Sequence, residues 1–103
     1  MSIRITESME LPLTTGTIEV DTTHGSVTIF MRTVPVHNPN EHLTITKVSR
    51  DNHLVSLFGE TSLINGNEII MFGLPIYANI KKGKVKTMVL KSDGKNWKII
   101  REE

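Results

Sequence analysis

Four histidines, His24, His37, His42 and His53, are the residues in this chain best suited to metal or proton chemistry. None stands in an HxH or HExxH arrangement or at a motif spacing from a carboxylate, and each falls in or beside a turn. His37 and His42 could meet across a proline-containing loop, but solvated loop histidines account for them more simply. Glu19 and Asp21 share one face of a strand pattern, on its polar edge. Asp93 and Glu60 fall at turns. A carboxylate pair for glycoside chemistry would have to assemble from distant parts of the chain. There is no GxSxG elbow and no Walker loop, and the absence of cysteine removes thiol chemistry and thiolate-bound metal. No catalytic role and no cofactor is expected.

The elements that would position these residues are strands. In GTIEVDT, Ile18 and Val20 share a face; in SVTIFMRT, Val27, Ile29 and Met31 do the same. LTITKV continues with Leu43 and Ile45, and HLVSLF with Val55 and Leu57. Alternation of this kind is the period-two sign of half-buried strands. His24-Gly25, Asp51-Asn52, Asn65-Gly66 and Lys82-Gly83 supply turns, and Asn-Gly is the strongest of them because both central residues of a type I′ turn need positive φ. No apolar set keeps a 3.6-residue spacing over ten positions, so helix is expected to be nearly absent. Pro35 and Pro39 make residues 33–42 an exposed loop.

At 103 residues the chain suffices for one core. Short strands separated by turns at regular spacing predict an all-β, antiparallel β-sandwich or jelly-roll-like single domain over 16–103. Residues 1–15 are expected to form an edge strand or an arm, and no exact internal repeat is visible. The start lacks the basic flank and unbroken apolar run of a signal peptide, and no stretch approaches the roughly 18 apolar residues of a membrane span. A soluble protein made in the cytoplasm, with no membrane partner, is expected.

Net charge is +1, yet between Lys81 and Arg101 eight basic residues stand against Asp93 alone, a local sum of +7. Lysines on edge strands suppress sheet-to-sheet aggregation; the sharper reading is a patch for an acidic partner. Direct nucleic-acid binding is not expected, because single-strand recognition needs stacking aromatics within the basic region and only Trp97 lies there.

In VLKSDGKNWKII, Met88 and Leu90 face one way, the chain reverses at Asp93-Gly94, and Trp97 and Ile99 return on a core face. This ending, S-D-G-x-N-W-x-I-I, resembles the C-terminal hairpin of small β-modules in tailed-bacteriophage virion proteins, among them tail fibres, adaptors and capsid-surface proteins. GTIEVDTTHGSVTIFM is similar to their opening strand pair, and LTITKVSRDNHLVSLFGETSLING to their middle. The resemblance covers the chain from Gly16 onward. It departs in the proline loop and in the long basic GLPIYANIKKGKVK.

The resemblance implies a virion structural protein, first a decoration or cement protein on the capsid surface that binds the major capsid protein or another virion protein as a homo-oligomer. A tail-fibre, tail-adaptor or receptor-binding module is the alternative. The residues expected to touch the partner are Lys81, Lys82, Lys84 and Lys86, then Val34, Val36 and His37 of the proline loop, and Met9 and Leu11 of the N-terminal segment.

Overall fold

The computed structural model describes residues 2–35, 41–59, 62–73 and 85–103. Among them are nine strands and no helix: β1 (Ser2–Ile5), β2 (Met9–Glu10), β3 (Gly16–Val20), β4 (Val27–Met31), β5 (Leu43–Lys47), β6 (Val55–Gly59), β7 (Ile69–Phe72), β8 (Thr87–Ser92) and β9 (Trp97–Glu102). They form one sheet of order β1-β3-β5-β8-β9 and a second of order β2-β4-β6-β7.

The alternating residues named above all point inward. Ile18, Val20, Val27, Ile29, Leu43, Ile45, Val55 and Leu57 are buried together with Phe72, Leu90 and Trp97 in one cluster contributed by both sheets. Each such aliphatic side chain contributes about 1.5–3 kcal/mol on leaving water, and this two-faced core holds the layers together.

The pairing differs from expectation. The chain is all-β in two layers, but the sheets are mixed rather than purely antiparallel. β1, β3 and β5 run parallel to one another in the first sheet, and β2, β4 and β6 do so in the second. From β1 to β6 successive strands alternate between layers, so this part of the chain winds in rungs, with β3 to β6 each lying beside the strand two places earlier. Only the later pairs are antiparallel: β5 with β8, β8 with β9, and β6 with β7. The physical reason is simple. Period-two alternation tells which side of a strand is buried and says nothing about which strand lies beside it.

Inner positions stack across rungs as Ile3, Ile18, Ile45 and Met88, and as Ile5, Val20 and Lys47. The last member is a lysine in an aliphatic row. Residues 2–5 and 9–10 are the edge strands of the two sheets within this same chain, and Ile5 and Leu11 reach the core.

Of the expected turns, Asn65-Gly66 has φ of 50° and 80° between the bridged residues Ile64 and Asn67, as a type I′ turn requires. At the β8–β9 turn, Gly94 has φ of 93°, and the Asp93 carboxylate accepts the N–H groups of Lys95 (2.9 Å) and Asn96 (2.7 Å). The Lys82-Gly83 turn lies outside the described residues.

Candidate functional site

The densest polar grouping among the described residues sits where the rungs pass from the first sheet to the second. Lys47 ends β5 facing inward. Its ammonium donates to the carbonyls of Asp51 (2.9 Å), His53 (2.6 Å) and Gly73 (3.0 Å) and lies 3.3 Å from the Asp51 carboxylate. That carboxylate accepts the Thr22 hydroxyl at 2.6 Å and the His53 N–H at 3.0 Å. Ser49 Oγ accepts the Thr22 N–H at 2.9 Å and lies 3.0 Å from the Thr22 hydroxyl. Burial pushes the Asp51 carboxyl up, but hydrogen bonds from Ser49, Thr22, the His53 N–H and Lys47 outweigh it and hold the group well below the usual carboxylate range.

Nucleophilic or general-base chemistry would need a hydroxyl on a free imidazole nitrogen or an amine with a lone pair. Here His53 Nδ1 is 2.6 Å from the Thr22 carbonyl and donates to it, which leaves Nε2 as the ring's lone-pair nitrogen, and no hydroxyl among the described residues lies on Nε2; the Ser49 hydroxyl is engaged by Thr22. The Lys47 Nζ is directed at three backbone carbonyls. The arrangement is a brace that ties β5, the Asp51–His53 turn and the end of β7 to the second rung.

Gly73 belongs to the same brace. It has φ of 80°, and a Cβ there would lie 2.7 Å from the Lys47 side chain. In the sequence Lys47 looks like an ordinary strand lysine; its parity with Leu43 and Ile45 is the one signal that it faces inward.

The cavity lined by Val34, Pro35, Leu43, Ser92 and Trp97 holds about 10 Å³, near the least that admits one water. Two larger grooves are open and polar: one of about 430 Å³ beside Glu7 and His24, the other of about 310 Å³ beside Asn65 and Arg101.

Four of the residues expected to touch a partner, Met9, Leu11, Val34 and Lys86, are among the described residues. Leu11 and Val34 are buried, and Met9 is half-buried against the core, so their apolar surface is taken up within the chain. Lys86 is exposed just before β8. Lys81, Lys82, Lys84, Val36 and His37 lie outside the described residues. Trp97 is buried, with its indole N–H on the Arg32 carbonyl at 2.9 Å.

What the fold does assemble is the later half of the basic stretch. Lys91 on β8 is directly opposite Lys98 on β9, and Lys95 is exposed in the turn between them. Like charges opposite each other on neighbouring strands repel. Asp93, the acid between Lys91 and Lys95, has its carboxylate on the N–H groups of the turn, and none of the three lysines forms an ion pair among the described residues.

On the outer face of the second sheet, Glu10, Phe30, Phe58 and Ile69 stand in one row across four strands. The two phenylalanine rings meet edge to face at 6.0 Å.

Comparison with family models, with curated proteins and with solved structures finds no match for this chain.

Proposed function

We propose that this chain is a structural protein of a tailed-bacteriophage virion, a decoration or cement protein that binds capsid subunits by surface burial and catalyses no reaction. The virion assignment rests on the C-terminal S-D-G-x-N-W-x-I-I hairpin and the opening strand pair. The observation that supports a binding role is the Lys91–Lys98 pair. Two lysines held face to face at the edge of a sheet, with Lys95 beside them, cost stability unless an acidic surface uses them, and complementary charge speeds and orients association. Lys86 extends the same basic character toward the start of β8.

The test is attachment to purified particles stripped of this protein. The double variant Lys91→Glu/Lys98→Glu should attach far more slowly than the parent while unfolding at the same temperature, since exposed charges contribute little to stability. Attachment of the parent should weaken with added salt, because exposed charges more than about 8 Å apart are largely screened at physiological ionic strength. Attachment indifferent to both would overturn the basic surface as the contact.

The second reading, a tail-fibre, adaptor or receptor-binding module, is favoured by the Phe30–Phe58 pair on an outer face, since exposed aromatics suit sugar rings. A few copies per particle together with glycan binding lost in Phe30→Ala would support it. Hundreds of copies would support the capsid role.

A further inference from the structure

β7 is the outermost strand of the second sheet, and it is the one sheet edge among the described residues that carries no charge in its strand. Its sequence is IIMF. The other three edges carry Arg4 on β1, Glu10 on β2, and Lys98, Arg101 and Glu102 on β9. Charges and short strands are what keep an edge from pairing with another chain. β7 lacks the charges, and its outward side chains Ile69 and Met71 are 47% and 56% exposed.

The backbone of β7 shows which groups are free. The Gly59 N–H bonds to the Glu68 carbonyl, so in the antiparallel β6–β7 pair residues 68, 70 and 72 direct their N–H and C=O toward β6. Residues 67, 69, 71 and 73 direct theirs outward. Asn67 exchanges both of its bonds with Ile64, and the Gly73 N–H goes to the Val85 carbonyl at 2.9 Å. Among the described residues, the chain therefore covers both ends of this edge and leaves the backbone groups of Ile69 and Met71 free of strand pairing.

The geometry points to a second copy of this chain as the occupant, joined by antiparallel pairing of β7 with β7 about a two-fold axis at Ile70. A two-fold contact is self-complementary and makes the two strands antiparallel. Residues directly opposite must share parity, so the axis can pass only through a residue. An axis at Met71 would set Ile69 against Gly73, whose N–H is taken by Val85. An axis at Ile69 would set Met71 against Asn67, which is taken by Ile64. At Ile70, Ile69 of each copy meets Met71 of the other as a hydrogen-bonded pair, and all four free N–H groups find carbonyls. Pairing β7 with any other described edge would place its apolar side chains beside charge. The occupant is thus an uncharged edge with the same two-residue window, which the second copy supplies.

A four-residue edge buries less than the roughly 800 Å² per partner of a standard interface, so the dimer forms in a concentration-dependent way. Sedimentation of the full chain over a concentration series should show monomer passing to dimer. Ile69→Lys or Met71→Lys should each weaken self-association by about tenfold or more by placing charge in an apolar pair, with unfolding unchanged because both side chains are exposed. The double variant Ile69→Lys/Met71→Glu should recover dimer, because only the Ile70-centred register sets the two new charges opposite each other. A parent that stays monomeric throughout, or single variants that associate like the parent, would overturn the proposal. Failure of the double variant to recover would overturn the register. Lys91→Glu/Lys98→Glu should leave self-association untouched, which separates this inference from the virion reading.

Discussion

The Lys47 ammonium and the Asp51 carboxylate lie 3.3 Å apart, with the lysine side chain 2% exposed and the aspartate 19%. Three backbone carbonyls complete the shell around the ammonium. Removing one partner of such a pair leaves the other charge uncompensated in the interior, which typically costs 3–5 kcal/mol. Lys47→Met, which keeps the stem's volume, should therefore lower the unfolding free energy by about 3 kcal/mol or more. Urea denaturation with an unchanged m-value is the measurement.

The same pair contributes to the acid limb of stability. A carboxyl whose folded pKa lies below its unfolded value stabilises the fold above the unfolded value and loses that contribution as pH falls through the folded one. Asp51 is lowered from its ordinary 3.8. The melting temperature should thus be flat above about pH 5 and fall steadily below it. Asp51→Asn should start lower at neutral pH and show a much shallower acid slope. Thermal melts across that range test both.

Trp97 joins three parts of the chain. Its ring fills the core, its indole N–H holds Arg32, and its backbone pairs with Leu63 and Asn65. Trp97→Ala should cost roughly 3–5 kcal/mol, the range for emptying a large aromatic site. Trp97→Phe keeps an aromatic ring in the core but leaves the Arg32 carbonyl without its donor, for about 1 kcal/mol from the hydrogen bond. Calorimetry of the two variants separates packing from hydrogen bonding.

Asn65 has φ of 50° and also accepts the Ile99 N–H on its side-chain oxygen at 2.9 Å. Asn65→Gly preserves access to the left-handed backbone and loses the bond, whereas Asn65→Ala loses both. Alanine should be the more damaging of the two by about 1 kcal/mol, read from chemical denaturation.

If Lys91 and Lys98 are set opposite for a partner's sake, relieving their repulsion should help the isolated protein. Lys98→Glu places opposite charges across β8 and β9, so the melting temperature should rise slightly at low salt while attachment weakens. A fall in melting temperature would show that the lysine pair is not a strain on the fold.

Much of the fold's inner surface is legible in the chain. Ile18 and Val20, Val27 with Ile29 and Met31, and Val55 with Leu57 declare their buried side by alternation alone, because a strand's side chains change face at every residue. Asn65-Gly66 and Asp93-Gly94 declare their reversals because few residues tolerate positive φ. The neighbour of each strand is not declared in this way. Whether β3 lies beside β4 or beside β1 and β5 depends on how loops of different length carry the chain between layers, and alternation is indifferent to that choice. The brace shows the same limit: Lys47 continues the parity of Leu43 and Ile45, but its burial is possible only because rungs far apart in sequence bring Asp51, His53 and Gly73 around its ammonium. The facing lysines 91 and 98 likewise arise from a register that a bulge at Val89/Leu90 shifts. Local patterning therefore determined which side chains are buried and where the chain turns, and tertiary packing alone decided which strands and which charges meet.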